Sequence, residues 1–128
     1  VTCEVKGFKL DKFTLGYIEC ALWSSEFSDD SGGEPLGKNY DPEDLAQETL
    51  GKMASNCKQF QAKHWEDLGN AREPDCNGRD FWLTRNRHGA GFWDRGLGEV
   101  GDRLTKAAHA FGEVDLYVGD DGLIYQTP

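Results

Sequence analysis

An α+β domain is the fold class this sequence predicts, and three observations carry the prediction. Amphipathic runs with capping signals mark about three helices, at roughly 14–25, 42–67 and 98–111. Two alternating apolar stretches around Gly-rich turns read as β-hairpins. Strand pairs are interrupted by a helix rather than alternating with helices one by one. That order favours an antiparallel or mixed sheet of about four strands, covered mainly on one face by helices. At 128 residues the chain reads as a single domain over 1–128. A domain of this size buries roughly two-thirds of its unfolded surface, so a self-sufficient core is feasible.

Taken in order, Val1 to Leu10 alternates loosely and suggests an edge strand. Phe13 and Thr14 read as a staple residue and an N-cap. Tyr17, Ile18, Ala21 and Leu22 follow at helical spacing, with Trp23 near the helix end closing the core or facing a partner. Glu26 to Tyr40 is a loop, acidic and rich in breakers around Asp29, Asp30 and Glu34. Its carboxylates lack the alternating twelve-residue pattern and central glycine of a calcium loop. Asp41-Pro42-Glu43-Asp44 then places an N-cap, a first-turn proline and two acids where a helix start favours them. Ala46, Leu50, Met53, Cys57, Phe60 and His64 form one apolar stripe, with Trp65 and Leu68 beside it. His64 reads as a core-edge residue rather than a ligand. A loop over 69–78 leads to a strand in which Phe81 and Leu83 face one side and Trp82 and Thr84 the other. Residues 85–91 are its turn, and Phe92-Trp93 resumes the extended run. Leu97, Val100, Leu104 and Phe111 mark the third helix, stopped by Gly112. Val114–Val118, the turn Gly119-Asp120-Asp121-Gly122 and Leu123–Tyr125 form the last hairpin.

Composition narrows the function. A net charge of −9 and a mean hydropathy of −0.67 argue against coating DNA or membranes, which are themselves polyanionic. No apolar run reaches the ~20 residues that span a bilayer, and no charged-then-apolar leader is present. The expectation is a cytoplasmic protein with no membrane association. Cys3, Cys20, Cys57 and Cys76 include no Cys-x-x-Cys pair, so no metal and no other cofactor is expected. Four cysteines allow two bridges in three connectivities, and free thiols are the favoured reading.

One stretch stands apart. Arg79 to Arg95 holds four arginines, two tryptophans, two phenylalanines and a histidine against Asp80 and Asp94. It is a basic, aromatic island in an acidic chain. Tryptophan and arginine together suit a binding hot spot, and interleaved aromatics and arginines suit stacking on a single-stranded nucleic acid. The candidate binding residues are Trp82, Arg85, Arg87, His88, Trp93 and Arg95, and the expected partner is a host protein or single-stranded nucleic acid. Replacing Arg85 and Trp93 together by Ala is expected to leave the fold intact and abolish capture.

The segments Asp80-Phe81-Trp82-Leu83-Thr84-Arg85-Asn86, His88–Gly96 and Asp115–Gly122 resemble a family of small acidic proteins encoded by tailed bacteriophages and related mobile elements. Tyr17–Ser25 and Asp41–Ala46 also fit it, so the resemblance covers most of the chain. It implies a phage-type accessory protein acting in an infected bacterial host, and no particular chemistry. Arg87 departs from the pattern, which usually has Gly before the central His; a positive φ there would strain it. Arg79 also replaces a usual His.

Two other readings compete with a non-enzymatic binding module. His88, oriented by Asp80 or Asp94 and with Arg85 or Arg95 holding an anion, suits acid–base catalysis. That requires a concave pocket with His88 in hydrogen-bond reach of one of those carboxylates. No nucleophile with a set partner and no phosphate loop accompanies it. Alternatively, Asp29, Asp30, Glu34, Asp41, Glu43, Asp44 and Glu48 imitate nucleic acid to occupy a host defence enzyme's basic cleft. Ordinary solubility explains the same charges.

Overall fold

The computed structural model describes residues 3–27 and 34–127. Val1, Thr2 and the acidic loop residues Asp29 and Asp30 lie outside them. The α+β class holds: the described residues form four α-helices and three separate two-stranded antiparallel pairs in place of one four-stranded sheet. The first pair is the hairpin β1 (Cys3–Val5) and β2 (Phe8–Leu10). Helix α1 (Lys12–Ser24) starts two residues earlier than expected, because the Asp11 carboxylate, rather than Thr14, is the cap: it accepts from the Thr14 N–H at 2.9 Å. A minimal pair, β3 (Glu26–Phe27) and β4 (Glu34–Pro35), closes the next loop.

Asp41 does cap, as the sequence suggests, but what it caps is a single 3-10 turn over Pro42–Asp44. Leu45 and Ala46 then run extended, and the Ala46 N–H donates to the Ile124 carbonyl at 3.0 Å. Helix α2 (Gln47–Gly69) begins only after this contact. Its stripe is buried as expected at Leu50, Met53, Cys57 and Phe60. His64 sits at the core edge with its ring 5.0 Å from that of Phe60, and burial holds its pKa below the ordinary value. Trp65 does not pack beside the stripe; it is 71% exposed.

The main correction concerns residues 74–95. Pro74 occupies the first turn of a third helix, α3 (Pro74–Arg85), so Phe81–Thr84 is helical and the predicted hairpin does not exist. Pro74 is pre-organised for that position, since its missing N–H would have no helical partner there. Asn77, Gly78, Asp80, Phe81, Trp82, Thr84 and Arg85 are all buried. Because polar residues are buried beside the apolar ones, α3 shows no single apolar stripe, and its run of β-prone residues imitates a strand.

Two glycines explain how closely α3 packs against α1. A methyl on Gly78 would overlap the Phe13 carbonyl, and one on Gly16 would overlap the Asp75 carbonyl. The backbones of α1 and α3 therefore approach as only glycine permits. The contacts 16 with 75 and Ser24 with Trp82 advance together, so the two helices run in the same direction. Behind them Phe13, Tyr17, Phe60, Phe81, Phe92 and Phe111 form a continuous ring stack, tightest between Phe60 and Phe81 at 4.1 Å. Helix α4 (Glu99–His109) and the hairpin β5 (Leu116–Val118) and β6 (Ile124–Gln126) lie where the periodicity placed them.

Candidate binding cleft

The six predicted site residues divide into two groups. Arg85, at the end of α3, is only 3% exposed and is held by neutral acceptors. Nε donates to the Gly112 carbonyl at 2.8 Å, Nη2 to the Phe111 carbonyl at 3.0 Å, and Nη1 to the Tyr17 hydroxyl at 3.0 Å and Asn56 Oδ1 at 2.8 Å. Its guanidinium also lies near the Phe81 and Phe111 rings, at 5.8 and 5.6 Å. A delocalised, weakly hydrated cation tolerates this setting where an ammonium would not. Burial drives the Tyr17 phenol well above its usual range, against the opposing pull of Arg85. Arg85 ties α1, α2 and the residues just after α4 to α3, with its guanidinium turned into the core.

Trp82 is buried too, at 2% exposure, with its indole N–H donating to Ser24 Oγ at 2.7 Å. Arg95 is half-buried and clasps the buried Asp80 through Nε and Nη2, the latter at 2.8 Å, while Arg72 reaches the same carboxylate at 3.4 Å. The hydrogen bonds that Arg95 donates to Asp80 raise the Arg95 pKa.

The second group is exposed. Arg87 has φ 57°, the left-handed position that ends a helix. Its N–H donates to the Thr84 carbonyl at 3.0 Å, and that of His88 to the Leu83 carbonyl at 2.9 Å. This bond pair is the Schellman ending, in which glycine usually fills the position of Arg87. The strain anticipated from the sequence is therefore present. The turn beyond is pinned by the buried Thr84, whose hydroxyl accepts from the Phe92 N–H at 3.1 Å and leaves no room for a side chain at Gly91. Asp94 accepts from the Gly91 N–H at 3.1 Å. Trp93 is left 51% exposed.

These elements frame a cleft of about 610 Å³ between the end of α1, the end of α3 and the stretch leading into β5. Ser24, Trp82, His88, Glu113, Asp115 and Leu116 line it. Asn86 builds one wall: it donates to the Trp82 carbonyl at 3.0 Å and accepts from the Val114 N–H at 2.8 Å, fastening the strand approach to α3. Of the predicted residues the cleft unites only Trp82 and His88. The sequence reading missed Ser24, Asn86, Glu113, Asp115 and Leu116; only the placement of Asn86 inside the motif hinted at any of them.

The catalytic arrangement is not formed with its expected partners. Asp80 is occupied by Arg95 and Arg72, Asp94 by Gly91 and Arg95, and among the described residues neither accepts from His88. No group of three or more metal-ligating side chains occurs among the described residues. All four thiols are free. Burial pushes Cys20 up to about 11 and Cys57 further still, which leaves both in the weakly nucleophilic thiol form. Of the acidic cluster, Asp41 and Asp44 are engaged in capping and Glu34 bonds Lys38 and Asn39. Among the described residues no helix is long and apolar enough to cross a membrane. Compared with known proteins, the chain matches no family model, no curated protein and no solved structure.

Proposed function

We propose that the protein is a non-enzymatic binding module of the phage-type accessory class its motif resembles, engaging a host protein through the cleft beside His88. The observation that carries this reading is the cleft itself. It is walled by a tryptophan whose indole N–H is already satisfied, and rimmed by exposed polar groups at His88, Glu113 and Asp115. Such a mixture of fixed apolar wall and free polar rim is the usual make-up of a recognition pocket. Arg87 and Trp93 stand on the adjoining turn as further exposed contacts.

A protein partner is favoured over a single-stranded nucleic acid. The stacking and phosphate-binding residues that reading needs, Trp82 and Arg85, are inside the core, and carboxylates rim the cleft. The test is capture from bacterial lysate by the immobilised full chain and by a His88→Ala/Asp115→Ala variant of unchanged thermal midpoint. Loss of a specific wild-type partner in the variant supports the assignment. Equal capture by both, or no specific partner for either, rejects it.

A further inference from the structure

The last hairpin has one covered edge and one bare edge. In an antiparallel pair, alternate residues exchange both backbone bonds with the partner strand, while those between turn N–H and C=O outward. The Thr127 N–H donates to the Asp115 carbonyl and the Gly119 N–H to the Leu123 carbonyl. With Tyr117 opposite Tyr125, the inward set on this strand is 115, 117 and 119. Leu116 and Val118 therefore direct their backbone groups away from β6.

The same parity turns Ile124 outward on β6, and there its carbonyl is met by the Ala46 N–H and by Thr49 Oγ1, both at 3.0 Å. Among the described residues no hydrogen bond is made to the backbone groups of Leu116 or Val118 on β5, although the Leu116 side chain packs in the core. Leu116 is also a lining residue of the cleft. Exposed strand edges are templates for another strand unless something blocks them.

We infer that the β5 edge receives an extended, basic segment of the partner protein, which adds as a third strand and continues along the cleft. This rests on the cleft reading and specifies its partner. Leu116 and Val118 offer two donors and two acceptors, enough for the backbone bonds of strand addition. Charge selects the occupant. Glu113 and Asp115 line the approach, and among the described residues neither forms an ion pair. The chain as a whole carries −9. Lysine or arginine side chains on the incoming strand would meet these carboxylates, while an acidic strand would be repelled.

The test uses the full chain labelled for amide NMR and a blocked hexapeptide alternating lysine with valine. A glutamate–valine counterpart and a lysine peptide N-methylated on the bonding edge serve as controls. In the free chain the Leu116 and Val118 amides should exchange rapidly. Saturating lysine peptide should slow them at least ~10-fold, and neither control should. Val118→Pro removes an N–H that lies outside the ladder; it should retain the Tyr117 and Tyr125 signals and lose the peptide. If that variant unfolds, the N-methylated peptide still decides the matter.

Shifts at His88 and Glu113 without protection at 116 and 118, with the N-methylated peptide binding equally well, would overturn strand addition while leaving the cleft as a binding site. No shift at either place with the lysine peptide would overturn the proposed occupant, and the lysate experiment then judges the cleft alone. Protection that grows with protein concentration in the absence of peptide would identify a second copy of the chain as the occupant and overturn the basic segment.

Discussion

Residues 80–85 and residues 87–93 share a composition and do opposite work. The first run is helical and sealed: Asp80, Trp82 and Arg85 are each at most 3% exposed, and every one has partners inside the molecule. The second is a turn whose Arg87, His88 and Trp93 face solvent. The switch occurs at one residue, Arg87, where the chain takes a left-handed conformation and leaves the helix. Arginine and tryptophan in a sequence therefore do not announce a binding surface by themselves. Before that reading is made, the buried acceptors that would claim them have to be counted.

The sharpest way to break this comparison is Arg85→Ala. It would strand the Tyr17 hydroxyl, the Asn56 side chain and the carbonyls of Phe111 and Gly112. The Tyr17 hydroxyl is buried and the other three acceptors are part-buried; with a stranded buried group costing about 1–3 kcal/mol, a loss of about 3 kcal/mol is expected from the urea midpoint. The same change at an exposed arginine such as Arg87 should cost little. The double replacement of Arg85 and Trp93 thus cannot probe binding alone, because its first member dismantles the core. Gly78→Ala comes next. It forces a methyl against the Phe13 carbonyl and should cost about 2–3 kcal/mol, read from the same denaturation curves.

Smaller effects sharpen the exposed side. Arg87→Gly relieves the positive φ and should stabilise by about 0.5–1 kcal/mol, with the thermal midpoint rising. A fall would mean that the Arg87 side chain contributes more than its backbone costs. The smallest effect is electrostatic. On the exposed hairpin, the bond to Asp121 pushes the Tyr125 phenol up to about 12, from an ordinary 10. Its neutral form is favoured in the folded state, so that contribution is complete below pH 10 and fades as pH rises through 12. Spectrophotometric titration should show Tyr125 ionising near pH 12, and Asp121→Asn should bring it back down.

Much of this fold was legible in the chain, and the exception has a physical cause. Helices α2 and α4 and the final hairpin each keep one face in water, so the period survives in their residue patterns. On helix α3 the buried positions include the polar Asn77, Asp80, Thr84 and Arg85, so residue type does not mark its dry face. Phe81-Trp82-Leu83-Thr84 therefore read as a strand, although Pro74 held the correct start signal. Arg85's fate was hidden because its acceptors come from residues 17, 56, 111 and 112, distant in sequence. The cleft was equally hidden, since Ser24, Asn86 and Glu113–Leu116 meet only after α1 and α3 are packed.

Hydroxyl-radical footprinting of the full chain, alone and with its captured partner, puts the division between the two runs to the most direct test. Protection should appear at His88 and extend to Trp93, with the exposed Trp65 on α2 unchanged. Protection at Trp65 with His88 unaltered would place the working surface elsewhere and contradict the account.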